Sequence, residues 1–464
     1  SHVADVSSPE LFGRVTTAAD LRSERLAREL SLLARRSQSE RRLPSVSAAV
    51  ARAGDVIWSE AHGVADVDAG IETTPNTQYA VGSITKTFTA AAIMALRDAG
   101  ALALDDPLGE HLPGVPLASP SLRRLLSHAA GIQREIPGST WETLTFPGAD
   151  ELLAGLTEAE EILEPGRHWH YSNLAFALLG QVVSLAAGMP YERFVEERFL
   201  DPLELRRTTW RAEMPAAHGY FVEPYADRAR PEPNLDLGGA AAVGQLWSTA
   251  TDLCRWGSFL ASPDASILQP ETAEEMATVQ VMLDNDRWTD AWGLGVSLTR
   301  AGDRVYAGHG GGMPGFLSGF VYVRKEEIAA AALANATADM HGLAMELAGK
   351  VADAFPVEPE AWRPEADATP PGIAGILGRW WSEGQETILS FHGGRLEARR
   401  ADEPREKEPS VFAQEEDDVF RVVSGRERGE VLRVVRDENG EAVRLYWATY
   451  PFFRTPRTFS EHAD

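Results

Sequence analysis

Val81-Gly82-Ser83-Ile84-Thr85-Lys86-Thr87-Phe88 carries a short loop into the alanine-rich run that continues to Leu96. Ser83 and Lys86 stand three apart, so on a helix their side chains share one face, one turn from each other. Ser83 falls at the expected N-terminus of that helix, where unpaired backbone N–H groups and the helix dipole favour developing negative charge. A serine is a weak nucleophile until a neighbour takes its proton. A lysine can do so once burial and nearby charge lower its pKa enough for a neutral fraction to exist. The other lysines are Lys325, Lys350 and Lys407, so the pairing does not arise from a lysine-rich background. Taken alone, Ser83 reads equally well as a helix cap.

Upstream of this stretch, 18–42 is charged and places Leu21, Leu26, Leu30 and Leu33 at helical spacing, and 45–52 with 55–64 reads as a hairpin around Gly54. Downstream, the helix opened by Ser83 extends to Asp98 with Gly100 as its stop. A short helix at 121–127, an amphipathic one at 149–161, an apolar one at 174–187 and others at 191–200 and 249–260 make a helical middle; 216–240, rich in Pro, Gly and Asp, reads as a surface loop. Strands follow at 292–298, 304–307, 317–323 and 328–335, then a helix at 341–355 that covers them. The order predicts an antiparallel sheet completed by both chain ends with a helical insert, a mixed α/β (α+β) domain over 17–355 preceded by a tail over 1–16. Pro356, Pro359, Pro364, Pro370 and Pro371 mark a stiff linker over 356–372. Beyond it, 373–464 changes to short alternating strands with hairpin turns at His392-Gly393-Gly394 and Asp437-Glu438-Asn439-Gly440, which predicts a small antiparallel β-barrel.

At 464 residues, 44% apolar, with a formal net charge of −25, the chain can bury large cores, and it repels nucleic acid and anionic lipid on average. No nucleic-acid partner and no membrane anchor are expected, because apolar runs are broken well short of a bilayer span. Cys254 is the single cysteine, so neither an intramolecular disulfide nor a cysteine metal cage can form. Asp105, Asp106, Asp284 and Asp286 match no metal-loop spacing, and His168 and His170 find no third ligand, so no metal and no cofactor is expected. Asn335-Ala336-Thr337 matches a glycosylation sequon, but the apolar strand before it favours a buried structural asparagine. Without a signal-peptide pattern at Ser1-His2 the reading expects a cytoplasmic rather than a secreted protein.

Three further stretches follow in order: Leu125-Leu126-Ser127-His128-Ala129-Ala130-Gly131-Ile132, then Tyr171-Ser172-Asn173, then His309-Gly310-Gly311-Gly312. Together with Ser83-x-x-Lys86 they resemble the serine β-lactamase-like family, which includes class C β-lactamases, D-aminopeptidases, esterases and low-molecular-weight penicillin-binding proteins. The resemblance spans 15–355, and Gly244-Gln245-Leu246-Trp247-Ser248-Thr249 also resembles a family segment. It implies a β-lactamase/transpeptidase-like fold and, beyond the linker, a lipocalin-like barrel such as several peptidases of this kind carry.

The resemblance also implies roles. Ser83 would be the acylated nucleophile, with Lys86 or Tyr171 as its principal base. Asn173 would orient Lys86 or hold a substrate amide. His309, Gly310 and Gly311 would stand in the place of the family's Lys-Thr-Gly, and the oxyanion would meet the backbone N–H groups of Ser83 and Gly312. Outside that context Tyr171 is a rim or core tyrosine, Asn173 a cap and the glycines a turn. His128 is expected to brace structure, because a Ser/Lys/Tyr site needs no histidine base. A histidine where the family often has lysine weakens attraction for a substrate carboxylate, which favours a small-acyl ester or a D-configured peptide as substrate over a β-lactam. Arg454 could meet a substrate carboxylate, although a plain barrel salt bridge explains it better. The alternatives are a peptide cyclase or transpeptidase, in which an amine replaces water, and a non-catalytic sensor of peptidoglycan fragments or β-lactams.

Overall fold

In the computed structural model, which describes residues 18–364 and 369–462, α1 (Ala18–Glu40) leads into the hairpin β1 (Ser45–Arg52) and β2 (Asp55–Asp66), followed by the short β3 (Ile71–Glu72). The tail expected over 1–16 lies outside the described residues. The middle is helical, with α2 (Thr85–Asp98), α3 (Asn173–Ala187) and α4 (Ala250–Ala261) as its longest members. The chain then returns to the sheet through β4 (Val281–Met282), β5 (Asp290–Trp292), β6 (Ser297–Ala301), β7 (Arg304–Met313), β8 (Phe316–Val323) and β9 (Ile328–Ala334), and ends the unit with α5 (Met340–Ala354). The nine strands lie in the order β3-β2-β1-β9-β8-β7-β6-β5-β4, so the first and last strands of the unit meet at its centre, where Val46 to Arg52 pair antiparallel with Ala334 to Ile328.

Period-two alternation in small residues makes that centre two-faced. Ile328, Ala330, Ala332 and Ala334 pack under α1 and α5 with Leu26, Leu30, Leu343, Leu347 and Val351. Ala329, Ala331 and Leu333 turn to the other side and join Leu253, Trp256 and Leu260 of α4. Alanine on both faces lets helices approach closely. Gly257 of α4 comes so near that a Cβ there would stand 2.9 Å from the Ala329 Cβ, and the buried Cys254 Sγ reaches the Ala49 carbonyl at 3.1 Å. Asn335 is wholly buried and its Oδ1 accepts from the Ser45 N–H at 2.7 Å and the Ser45 hydroxyl at 2.8 Å, the structural role expected of it.

Boundaries differ from expectation at several points, among them the helix expected over 191–200, which is α-helical only to Val195, and the loop expected over 216–240, which contains the short strands Tyr220–Val222 and Ala229–Pro231. The single strand expected over 292–298 is two strands, because Gly295 takes a positive φ of 78° beside Ala90, where a Cβ would meet the Ala90 Cβ at 2.2 Å. The helix expected over 149–161 ends at Gly155 and passes into a 3₁₀ turn, Leu156–Glu158. The strand expected over 304–307 continues through the three glycines to Met313, held by pairing with β8 from Ala307↔Tyr322 to Met313↔Phe316.

The chain divides into two compact units at Glu358 and Pro359, inside the proline-rich stretch. The second unit is an antiparallel meander of eight strands, β10 (Gly378–Ser382), β11 (Gln385–His392), β12 (Arg395–Arg400), β13 (Ser410–Glu416), β14 (Val419–Ser424), β15 (Val431–Arg436), β16 (Ala442–Trp447) and β17 (Tyr450–Phe452). Trp381 and Phe453 exchange backbone hydrogen bonds of 2.8 and 2.9 Å, which bring the first and last strands together into a nearly closed barrel. Its core holds Trp380, Leu389, Leu396, Phe412, Phe420, Leu432 and Leu445.

Candidate active site

Backbone contact sets the frame of the site. Gly82 sits in a 3₁₀ turn at a φ of +52°, and a Cβ there would stand 2.6 Å from the Gly312 carbonyl oxygen and 2.7 Å from its nitrogen. From the other side, a Cβ on Gly311 would stand 1.9 Å from the Val81 carbonyl oxygen. Only glycine fits at either place. The Ser318 hydroxyl clamps the same carbonyl at 2.8 Å. The pairing of β6 with β7 ends at Ser297↔Gly308, so His309 to Met313 have β8 on one side and the Ser83 turn on the other. The glycine-rich half of β7 is thus a local edge within a strand that is otherwise interior, and it delivers Gly312 next to Ser83.

The first turn of α2 then aims Lys86 at Ser83. Lys86 is wholly buried; its Nζ donates to the Val243 carbonyl at 2.9 Å and lies 2.9 Å from Ser83 Oγ. A carbonyl can only accept, so one N–H is committed to Val243 and another Nζ orbital faces the serine. Burial drives the Lys86 pKa well below the usual lysine range; Glu135 opposes the shift and Arg134 adds to it. Tyr171 stands just before α3, whose N-cap Ser172 accepts from the Ala175 N–H. Its ring centroid is 5.0 Å from Lys86 Nζ. Burial raises the phenol pKa above its usual range, opposed by a hydrogen bond with the Ser83 hydroxyl and by Arg134.

Histidines and tryptophans wall this cluster. His128, at a φ of +55°, is buried against Tyr171 (4.3 Å between centroids), Phe176 and Trp292 (5.1 Å each). Its Nδ1 accepts the Ser172 N–H at 3.0 Å and its carbonyl takes the His170 N–H, so it braces the Tyr171 segment, as expected. Trp169 lies half-buried, 5.4 Å from Trp292 and 6.2 Å from Tyr171. His309 is 3% exposed, with Nδ1 against its neighbour's Gly310 carbonyl. Burial, with Lys86 adding to it, pushes its pKa down to about 3, so it is neutral at pH 7.

Two expected placements change. Of the two roles expected for Asn173, the contact with Lys86 is not made: its Nδ2 donates to Glu135 Oε1 at 2.9 Å, while its Oδ1 is buried without a partner among the described residues. The Val243 carbonyl does the orienting instead. Arg454 hydrogen-bonds the carbonyls of Leu377 (2.9 Å), Gly375 (2.6 Å) and Arg379 (3.3 Å) and stacks on Trp380 at 3.8 Å, so its fork is occupied within the barrel by carbonyls rather than a carboxylate. Of the acidic groups, Asp105 pairs with Arg123 at 2.8 Å and Asp284 accepts from Thr289. Asp106, Glu110 and His111 could each offer one ligand atom within 4.8 Å of the others, but Asp106 is already bound to His111 at 2.8 Å and to the Ala103 N–H at 2.7 Å.

Val243, Trp292, Arg134 and Glu135 are site residues that the sequence reading did not single out. A backbone carbonyl such as that of Val243 leaves no side-chain signal. Arg134 and Glu135 follow Ser127-to-Ile132 by two residues, and an adjacent opposite pair on a loop beside an apolar motif was the available cue.

Comparison with known proteins places the chain in a family. Residues 26–352 match the family model described as Beta-lactamase, and residues 369–454 match a domain of unknown function, DUF7586. Esterase EstB of Burkholderia gladioli is 32% identical over 237 residues, 47% of this chain and 59% of that one. The solved structure of SurE is 26% identical with a TM-score of 0.61 over 95% of this chain and all of the other, and SurE with D-Leu is 25% identical with a TM-score of 0.58 over 94%. A D-stereospecific amidohydrolase from Streptomyces sp. is 26% identical, with a TM-score of 0.58 over 71% of this chain and 98% of that one. The chain spans about half the length of several curated relatives it matches. With the family model covering most of its length and the serine, lysine and tyrosine brought together, the chain belongs to the beta-lactamase family, a fold shared by esterases, D-amino acid amidases and penicillin-binding proteins.

Proposed function

We propose that the protein is a serine hydrolase that cleaves a small-acyl ester or a D-configured amide through an acyl-Ser83 intermediate. The observation that carries this reading is the 2.9 Å approach of a buried Lys86 Nζ to Ser83 Oγ, with burial favouring the neutral amine. Such an amine is a base; the Tyr171 phenol, pushed up by burial, is an acid. Ser83 Oγ attacks the substrate carbonyl carbon as its proton passes to Lys86 Nζ. The oxyanion rests on the N–H groups of Ser83 and Gly312. The C–O or C–N bond then breaks, the leaving group takes the Tyr171 proton, and Lys86 restores that proton. Water repeats the sequence on the acyl-enzyme and releases the acid. The esterase and D-stereospecific amidohydrolase among its relatives support both substrate classes, and a relative spanning both units was solved with D-Leu.

The test compares wild type with Ser83→Ala on p-nitrophenyl acetate and butyrate and on D- and L-alanyl p-nitroanilide, with intact mass to detect the acyl adduct. Turnover and adduct that vanish in Ser83→Ala are the expected result, with D preferred over L on the anilides. Equal activity in the two proteins overturns the nucleophile.

A further inference from the structure

Arg134 and Glu135 are the charged side chains that act on Lys86. Around them burial holds His128 and His309 toward their neutral forms and Tyr171 toward its protonated one. Arg134 is therefore the permanent cation of this cluster. Its guanidinium lies 4.9 Å from the Tyr171 ring centroid, and its side chain is 59% exposed. Nε donates to Glu135 Oε1 at 3.2 Å, and neither terminal amino group has a hydrogen-bond partner among the described residues. The backbone is fixed, because the Arg134 carbonyl accepts the N–H groups of Asn173 at 2.7 Å and Leu174 at 3.1 Å, at the start of α3. The negative charge beside it is already engaged, since Glu135 Oε1 takes the Asn173 amide and Oε2 takes the Trp141 indole N–H at 3.0 Å.

An arginine with a fixed backbone and two free amino groups, exposed at the lip of a site where burial holds Lys86, His128 and His309 toward their neutral forms, suits bidentate contact with a carboxylate. We infer that Arg134 is a specificity-determining residue that takes a carboxylate on the leaving-group half of the substrate, supplying the positive charge that His309 does not. The side follows from Tyr171: the group that protonates the leaving atom lies directly beneath the guanidinium. This inference rests on the acyl-Ser83 reading.

The experiment measures kcat/KM for 3-acetoxybenzoate and for its methyl ester, which present the same acyl group with an anionic or a neutral leaving phenol. The ratio of the two is compared among wild type, Arg134→Gln and Arg134→Lys. The anionic-to-neutral ratio is expected to fall about tenfold in Arg134→Gln and to recover in part in Arg134→Lys, which keeps the charge without the fork. Raised salt is expected to lower the ratio in wild type and not in Arg134→Gln. A ratio that stays at the wild-type value while both rates drop together would reduce Arg134 to a brace for Tyr171 and overturn the inference alone. If wild type cleaves neither ester, or Ser83→Ala cleaves both as fast, the acyl-serine reading fails and carries the inference with it.

Discussion

Lys86 and Arg454 are both cations set beside an aromatic ring, the first 5.0 Å from the Tyr171 centroid and the second 3.8 Å from that of Trp380. Lys86 is buried with a serine hydroxyl and one carbonyl for company; Arg454 is exposed and donates to three carbonyls. The same contrast holds across the two units. In the first, Lys86, His128 and His309 are each no more than 3% exposed and have no carboxylate within salt-bridge distance among the described residues. In the barrel, no charged side chain among the described residues is buried, and rim pairs such as Arg436–Asp418 at 2.7 Å and Arg400–Asp402 at 2.9 Å neutralise one another. Burying an ionisable group without a counter-ion costs stability. A fold that does so three times around one serine, and nowhere in its barrel, concentrates that cost where chemistry gains from shifted proton affinities.

The largest effect expected from this contrast is at Lys86. Lys86→Met is expected to lower kcat/KM on p-nitrophenyl butyrate about 10³-fold, the scale of losing a general base, while the melting temperature does not fall, since an apolar side chain of similar length suits the pocket better. A variant that loses activity by unfolding would mean that Lys86 is held for structure, and the contrast between the units would lose its meaning.

Next is the glycine contact that frames the site. In Gly311→Ala the new methyl would lie 1.9 Å from the Val81 carbonyl oxygen, part of the backbone, which cannot give way cheaply. In Gly312→Ala it would meet the end of the Leu317 side chain at 3.1 Å, which can. Urea unfolding should show a loss of at least about 3 kcal/mol for the first and a clearly smaller one for the second. Equal losses would show that β7 is not pressed against the Ser83 turn as described.

How much of this was legible in the sequence depends on the range of the interaction. The Ser83–Lys86 relation is one helical turn, so spacing alone carries it. The two-faced centre of the sheet was not legible from alternation, because β9 is apolar and buried at every position and a run of this kind does not say which face meets which helix. The extension of β7 through Gly310, Gly311 and Gly312 was not, since glycine runs signal turns and only pairing with β8 and close approach to Val81 make them a strand. Tyr171 became meaningful only through motif order. Val243 could not be read at all, because a carbonyl is common to every residue, and Arg134 was hidden because its importance comes from the neutrality of its neighbours. Arg454 was singled out for its charge, but the carbonyls and indole that occupy it are tertiary.

Acid should separate the units again. His309 has a folded pKa of about 3 against an ordinary value of about 6.5, so between those values the unfolded chain binds a proton that the folded one refuses. Its stabilising contribution is complete above pH 6.5 and is lost as pH falls toward 3, on the order of 3 kcal/mol by pH 4. His128 is shifted in the same direction. The first unit is expected to lose stability steeply between pH 6.5 and 4 in urea titrations, and His309→Asn to flatten that slope. An identical slope in His309→Asn would count against a neutral buried imidazole at this position.

The smallest effect belongs to the barrel. Arg454→Ala removes the stacking on Trp380 and leaves the carbonyls of Leu377, Gly375 and Arg379 without that donor. Because the side chain is exposed, water replaces much of what is lost, and the expected cost is about 1–2 kcal/mol in the unfolding of the second unit. Arg454→Lys separates charge from shape: an ammonium keeps the charge but cannot hold three carbonyls in one plane while lying flat on an indole. If the guanidinium acts as a clamp, the lysine variant melts close to the alanine one. If lysine restores the stability of arginine, charge alone is what the position requires, and the two units would differ less in how they use their cations than Lys86 and Arg454 suggest.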